Sequence, residues 1–237
     1  MKVCVLVLSL LSSFCVLSAA ETAALAPNVI VEQYCAATAS QEQAAKGASM
    51  EVDIAASLPK LKKEGKLHAL RRISTLGRIT YEALKFEGDG TIKSHVIARY
   101  LSAEIEAQKD ESPSLAVTPA NYKFKYKGHN QLDGREIHVF EVTPREKRVG
   151  LFRGEVWIDA STYLRVQESG TLVKKPSIFL KKLAFIRRYD IRNGIAVLRQ
   201  VRSVADVRLF GKAELTIDFT NFSIDSKRAV AGDADLQ

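Results

Sequence analysis

The feature of this sequence that most constrains its fold is a long series of segments in which apolar and polar residues alternate. A period of two is typical of strands with one buried face, because successive side chains of a strand point to opposite faces of the sheet. Such strands are predicted at 50–58, beyond residue 65, and at 79–86, 121–127, 137–143, 154–159, 163–170, 179–192, 195–210 and 213–222. The chain should therefore form nine or ten antiparallel strands in meander order.

Turn signals separate these segments. The dipeptide Asn193-Gly194 is the strongest hairpin signal, because both residue types tolerate the positive φ of a tight two-residue turn. Two segments show helical periodicity instead, residues 28–46 and residues 94–109. A sheet of this width rarely stays flat, so we predict an α+β fold that is mainly antiparallel β. Its expected form is an incomplete half-barrel with helices covering the concave side.

The first twenty residues have the pattern of a secretory signal peptide. A short apolar run is followed by small residues at Ser18 and Ala20, which suit cleavage after Ala20. The run is shorter than the roughly 20 residues that cross a bilayer, and a retained membrane anchor is the alternative. We therefore expect an exported protein with a signal peptide at 1–20, a single domain at 21–228 and a disordered tail at 229–237.

Cleavage would leave one cysteine in the mature chain. Cys4 and Cys15 lie in the removed segment, so Cys35 cannot form an intramolecular disulfide. Its neighbours suggest a helix, where a lone cysteine usually behaves as a small buried apolar residue. We expect no redox chemistry at this position.

The chain is basic, with 35 Lys and Arg against 27 Asp and Glu and a net charge of +8. Such a field attracts anionic surfaces. Export argues against nucleic acid as the partner and favours anionic phospholipid or an acidic envelope protein. In the dense cluster at 60–72, we predict docking through Lys62, Lys63, Arg71 and Arg72. The alternative is a solvated lysine-rich strand face that protects sheet edges from aggregation.

One predicted strand separates an aromatic face from a basic face. In the strand 121–127, period two puts Tyr122, Phe124 and Tyr126 on one side and three lysines on the other. We predict that the aromatic side lines an apolar cavity of the half-barrel, with ordinary core packing as the alternative. The full set of predicted cavity residues is Tyr122, Phe124, Tyr126, Val156, Ile158, Leu164 and Phe185.

The sequence contains no evident catalytic or metal-binding motif. The four histidines lack the spacing of metal ligands, and there is no Gly-x-Ser-x-Gly elbow of a hydrolase. The segment 88–90 is too short for a phosphate or calcium loop, so we interpret it as a turn. We expect no enzyme activity, no cofactor and no metal, and a hydrolase with a dispersed active site is the remaining catalytic alternative.

Motifs in the C-terminal half resemble a known family. They occupy residues 133–144, 154–159, 162–164, 187–189 and 215–222, which read DGREIHVFEVTP, GEVWID, TYL, RRY and LTIDFTNF. These segments resemble the outer-membrane lipoprotein-sorting proteins, the LolA/LolB-like superfamily of periplasmic carriers. The resemblance implies an incomplete antiparallel β-barrel wrapped around helices, an apolar cavity that receives acyl chains, and no catalytic residues.

Two functions follow from the resemblance and the composition. The first is a periplasmic carrier that binds lipid or lipoprotein acyl chains, for outer-membrane lipoprotein sorting or lipid transport, with affinity from apolar burial. The alternative is a non-catalytic sensing or scaffold module on the same fold, which binds an envelope protein. In either case we expect a monomer that does not bind nucleic acid.

Overall fold

The computed structural model of this chain describes residues 25–106, 114–175 and 178–224. The predicted signal peptide and the predicted C-terminal tail lie outside these residues, as does the end of the second predicted helix at 107–109. Within the described ranges, no helix combines the length and the apolar character needed to cross a bilayer.

Ten antiparallel strands form one sheet in the described part of the chain. The strands are β1 (Ala48–Leu58), β2 (Lys63–Ile73), β3 (Ile79–Gly88), β4 (Tyr122–Leu132), β5 (Arg135–Pro144), β6 (Phe152–Asp159), β7 (Arg165–Leu172), β8 (Leu180–Arg192), β9 (Ile195–Val207) and β10 (Gly211–Ile224). Their spatial order is β3-β2-β1-β10-β9-β8-β7-β6-β5-β4. The two edge strands β3 and β4 do not pair with each other, so the sheet is an open half-barrel. The predicted fold class is confirmed.

The pairing of β1 with β10 joins two meanders, β1–β3 and β4–β10. In this pairing Val52 lies opposite Phe219, and Ile54 lies opposite Ile217. The predicted meander order therefore holds within each group of strands, but the junction between the groups was not predicted. Because β3 and β4 form opposite edges, the connection between them passes from one edge of the sheet to the other.

Two helical segments cover the concave face. The first is α1 (Pro27–Ala44), close to its predicted range. The second is continuous and consists of α2 (Gly90–Ile92), a π-helical turn (Lys93–Ile97) and α3 (Ala98–Glu106). It begins before the predicted start at residue 94 because the Asp89 carboxylate caps it, accepting the Thr91 N–H at 2.7 Å. We call this segment the roof helix.

Strand β4 is longer than the alternation predicts. The pairing with β5 shifts between Tyr126 and Gly128, and Gly128 has a φ of 119°, which favours glycine. This irregularity is a β-bulge, which adds a residue and so breaks the period of two. The alternation in the sequence is therefore interrupted at residue 127, whereas the strand continues to the turn at Asp133-Gly134.

The concave face carries two apolar clusters. One cluster, the α1 core, packs α1 against β4–β8 and comprises Ile30, Val31, Tyr34, Val117, Tyr122, Phe140, Val142, Leu151, Phe152, Val156, Ile158 and Phe185. The other, the roof core, packs the roof helix against β1, β2, β9 and β10. It comprises Met50, Val52, Ile54, Ala56, Leu58, Leu67, Ile92, Ile97, Val201, Ala213, Leu215, Ile217 and Phe219. The two clusters divide the half-barrel into two regions.

Candidate functional site

A cavity of about 760 Å³ lies between the roof helix and the inner face of β8–β10. Its lining is mostly apolar, and its basic side chains are His95 and Arg99. The lining residues are Leu58, Ser94, His95, Val96, Ala98, Arg99, Tyr100, Ser102, Ala103, Phe179, Leu180, Leu183, Ser203, Ala205, Val207, Leu209, Phe210, Ala213 and Leu215. We call this space the apolar cavity.

Small side chains leave the space open. On the strands, Ser203, Ala205 and Ala213 occupy inward positions where the α1 core has phenylalanine and isoleucine. On the facing side of the roof helix, Ala98 and Ser102 also line the cavity. Because close packing needs matched volumes across an interface, small residues on both walls leave a gap that the protein itself does not fill.

A polar anchor fixes the C-terminal end of the roof helix to the sheet. Arg71 donates from Nε and Nη2 to Glu104 Oε1, at 3.2 and 2.8 Å, and the Tyr81 hydroxyl donates to Glu104 Oε2. Burial and the Glu104 charge raise the pKa of Tyr81, so its hydroxyl keeps its proton. Arg71 is only 8% exposed. The prediction that Arg71 docks the protein is corrected, because its guanidinium is committed to this internal ion pair.

A second cavity, of about 550 Å³, lies next to the first on the concave face. The residues that line both cavities are Tyr100, Ala103, Leu183 and Ser203. Unlike the first, the second cavity has carboxylates as well as guanidinium groups in its wall, and its charged side chains and one hydroxyl are Arg71, Glu104, Arg165, Glu168, Arg187 and Tyr189. We call it the polar cavity. The two cavities are therefore neighbours that share part of their wall, one mostly apolar and the other with charged side chains.

Glu168 lies at the centre of the polar wall and is 2% exposed. Its carboxylate accepts hydrogen bonds from Arg165 Nη1 at 3.2 Å, Arg187 Nη1 at 3.4 Å and the Tyr189 hydroxyl at 3.0 Å. Burial alone would raise the pKa of Glu168, but the two guanidinium charges and the Tyr189 hydrogen bond outweigh it and hold that pKa below its usual value. The carboxylate is therefore ionised at neutral pH.

Most of the seven predicted cavity residues lie in closely packed surroundings. Phe185 lines the polar cavity, whereas Tyr122, Phe124, Tyr126, Val156, Ile158 and Leu164 line neither cavity. The Phe124 ring packs 6.5 Å from Tyr34 and 6.1 Å from Phe140, and the Tyr126 ring lies 5.0 Å from Phe140. These contacts correspond to ordinary core packing, the alternative stated above for the aromatic face of β4.

The remaining predicted docking residues do not form one surface. Lys62 is exposed in the β1–β2 turn, whereas Lys63 forms an ion pair with Asp89 at 3.3 Å. Arg72 pairs with Glu82 at 2.9 Å near the other end of β2. At about 3.3 Å per residue, Lys62 and Arg72 are about 30 Å apart along the strand. A single docking surface through these residues is therefore not formed.

A different basic surface surrounds the mouth of the apolar cavity. Three of the connections at this end of the sheet, residues 59–62, 173–179 and 208–210, contain no Asp or Glu. Phe179 and Leu209 line the cavity and are also exposed, and the Arg208 N–H donates to the Phe179 carbonyl at 2.9 Å. The exposed residues of this basic rim are Lys60, Leu61, Lys62, Lys174, Lys175, Ile178, Phe179, Lys181, Lys182, Arg208, Leu209 and Lys212. Sequence reasoning noted some of these lysines but not their position around a cavity.

Other reactive side chains stand apart from the two cavities. Cys35 is a free, half-buried thiol that packs against the α1 core, and burial raises its pKa. Within the described ranges, no three His, Cys, Asp or Glu side chains come close enough to hold a metal ion. What the two cavities offer chemically is a site that can bind and orient a ligand with an apolar part and a polar part.

Several solved structures are similar to this chain over most of its length. A protein of the DUF1329 family from Desulfovibrio piger ATCC 29098 shares 17% sequence identity with a TM-score of 0.45, covering 84% of this chain and 93% of that chain. A LolA superfamily protein from Nitrosomonas europaea shares 10% identity with a TM-score of 0.40, covering 86% and 95%.

An outer membrane lipoprotein-sorting protein domain from Vibrio parahaemolyticus shares 11% identity with a TM-score of 0.39, covering 83% of this chain and 92% of that chain. The proteins from Nitrosomonas europaea and Vibrio parahaemolyticus are described as a LolA superfamily protein and a lipoprotein-sorting protein domain. No protein-family model matches the chain, and a search of curated proteins gives no significant match.

Proposed function

We propose that this protein is a periplasmic carrier that binds the acyl chain of a lipid or lipoprotein in the apolar cavity. The observation that supports this most directly is the cavity of about 760 Å³ between the roof helix and β8–β10. Ligand sites of small molecules are typically clefts of about 300–1,000 Å³ with mostly apolar walls. Each methylene group moved from water into such a site contributes about 0.8 kcal/mol.

The position of the mouth supports a role in transfer. Exposed Phe179, Leu209 and Ile178, of which Ile178 is 77% exposed, lie among lysines and arginines on the basic rim. Apolar side chains can insert into the boundary of a bilayer, while each nearby Lys or Arg contributes about 1 kcal/mol of attraction to anionic lipid. Docking by the basic rim would bring the mouth of the cavity against the membrane surface.

A cavity-filling variant tests the carrier function. The change Ala205→Trp places an indole ring in the apolar cavity, because Ala205 lines it. Val204→Trp is the matched control, because Val204 is the preceding residue of β9, is exposed and does not line the cavity. Both proteins are purified without detergent and examined by native mass spectrometry.

The wild-type protein and Val204→Trp should retain heterogeneous lipid masses, whereas Ala205→Trp should lose them. A wild-type protein that carries no lipid and takes up none from vesicles would contradict the carrier function. That result would favour the module that binds a protein partner.

Vesicle binding tests the role of the basic rim. The double change Phe179→Ser and Leu209→Ser should weaken co-sedimentation with anionic phosphatidylglycerol vesicles severalfold, because it removes the apolar side chains beside the mouth. Ile186→Ser removes an exposed apolar residue of β8 that does not line the mouth, and it should leave binding unchanged. Equal loss in both variants would refute docking through this rim.

A further inference from the structure

The wall of the polar cavity indicates the chemical class of the ligand. Resting on the carrier function proposed above, we infer that the ligand is an anionic amphiphile whose phosphate or carboxylate head group binds Arg187. Its acyl chain then occupies the adjoining apolar cavity. Three observations carry this inference: the wall that the two cavities share, the excess of positive charge among the described residues of the polar cavity, and the accessible guanidinium of Arg187.

The inner face of β8 forms part of the wall of both cavities. Leu183 lines both of them, and Phe185, Arg187 and Tyr189 follow at every second residue and line the polar cavity. At about 3.3 Å per residue, Arg187 is about 13 Å along the strand from Leu183. One ligand can therefore contact the apolar cavity with its chain and Arg187 with its head group.

Positive charge exceeds negative charge in the wall of the polar cavity. Arg71 and Glu104 neutralise each other in the anchor of the roof helix. Arg165 and Arg187 share the single carboxylate of Glu168, at 3.2 and 3.4 Å. Among the residues that the structure describes, one guanidinium charge is left without a counter-charge in this wall. An excess of one sign of charge in a cleft raises the local concentration of counter-ions, so an anion would be favoured in this cavity.

Arg187 is the guanidinium that remains available to a ligand. Its side chain is 45% accessible, compared with 31% for Arg165. Within the described residues its hydrogen bonding is limited to Nη1, which contacts Glu168, so Nε and Nη2 can donate to a ligand. The guanidinium also lies over the Phe185 ring, 4.6 Å from its centroid, which restricts its orientation. A planar guanidinium with parallel donors suits the two oxygens of a carboxylate or phosphate.

The acceptor side of the same cluster is already occupied. Glu168 accepts hydrogen bonds from Arg165, Arg187 and Tyr189, and Glu104 accepts from Arg71 and Tyr81. The cavity therefore presents unused donors rather than unused carboxylate acceptors. A cationic head group would meet the excess positive charge and would be disfavoured.

Calorimetric titration with three ligands of equal chain length tests the inference. Dodecyl phosphate and dodecanoate carry an anionic head group, and dodecanol carries a neutral one. The wild-type protein should bind the two anionic ligands at least tenfold more tightly than dodecanol. Arg187→Gln should remove this preference and leave dodecanol affinity unchanged, and Arg187→Lys should restore part of it by keeping the charge without the planar donors.

Arg188→Gln is the matched control, because Arg188 is the next residue of β8, is exposed and lines neither cavity. It should bind all three ligands as the wild type does. Equal affinity of the wild type for dodecanol and dodecyl phosphate would overturn the inference while leaving the carrier function intact. Inorganic phosphate that binds as tightly as dodecyl phosphate would overturn it as well, because the site would then be one for small anions. Failure of all three dodecyl ligands to bind would instead contradict the carrier function.

Discussion

The two helical segments on the concave face differ in how closely they pack against the sheet. Ile30 and Tyr34 of α1 are almost fully buried among aromatic side chains of the strands. The α3 part of the roof helix, in contrast, contributes no fully buried residue, and the apolar cavity lies beneath it. The strands on both sides alternate with the same period. The difference shows that alternation sets which face points inward, whereas the size of the side chains decides whether that face is filled.

The largest effect should come from the filled region. Phe140 is buried in the α1 core, where it contacts Phe124 and Tyr126. We expect Phe140→Ala to lower the free energy of unfolding by about 3–5 kcal/mol, because it leaves a void in close-packed surroundings. Urea denaturation measures this loss, and dodecanol binding by the folded fraction should be unchanged. A loss below 1 kcal/mol would show that the α1 core is not closely packed.

The stability contributed by the ion pairs of Glu168 should decrease at acidic pH. The folded-state pKa of Glu168 lies below the ordinary value of 4.5, so its ionised form stabilises the fold above that pH. This stabilisation is lost as the pH falls through the folded-state pKa. Gln resembles the protonated carboxyl group, so Glu168→Gln should be less stable than the wild type at neutral pH. The gap between their melting temperatures should narrow as the pH is lowered. A gap that does not change with pH would contradict this assignment.

The open region should tolerate truncation better. Leu183 lines both cavities and is only partly buried at the edge of the α1 core, so part of its side chain faces space that the described residues do not fill. We expect Leu183→Ala to cost about 1 kcal/mol of stability, less than the 2–5 kcal/mol typical of a packed leucine. Its affinity for dodecyl phosphate should fall measurably in the same calorimetric titration. A stability loss as large as that of Phe140→Ala would remove the distinction between the two regions.

The smallest effect should come from the outer face of β4. Lys125 is exposed, and the neighbouring Phe124 and Tyr126 point inward. Lys125→Ala should change stability by less than about 0.5 kcal/mol, as is usual for surface positions, and should leave ligand binding unchanged. Thermal melting and the dodecyl phosphate titration check both expectations. A larger change would mean that the lysine face of β4 has a role beyond solvation.

Much of the fold could be predicted because strands and tight turns are encoded locally. Alternation located nine of the ten strands, and Asn193-Gly194 located the β8–β9 turn. The second strand was expected only beyond residue 65, whereas β2 begins at Lys63. The pairing of β1 with β10 could not be predicted in this way. Its partners, such as Val52 and Phe219, come from distant parts of the sequence, and alternation carries no information about which strands become neighbours.

The site was harder to predict than the fold. Large aromatic residues such as Phe124 were predicted to contact a ligand. Large side chains fill the space around them, however, and the cavity lies where Ser203 and Ala205 are small. Arg71 shows a signal that was present in the sequence. It follows Leu67 and Ala69 at every second residue, so its position in the alternation already indicated an inward side chain. A charged residue in the inward phase of a strand can mark an internal ion pair.

The crossing of the chain from β3 to β4 has a mechanical consequence for cargo. The roof helix belongs to this connection and is fixed near both of its ends, by the Lys63–Asp89 ion pair at its start and by the Arg71–Glu104 ion pair in its last turn. A helix that is fixed near both ends does not rotate away from the sheet about one end. We therefore expect a bound acyl chain to enter and leave along its own length, through the end of the apolar cavity where Phe179 and Leu209 are exposed. In that geometry, the chain would thread directly between the protein and any membrane on which this end rests.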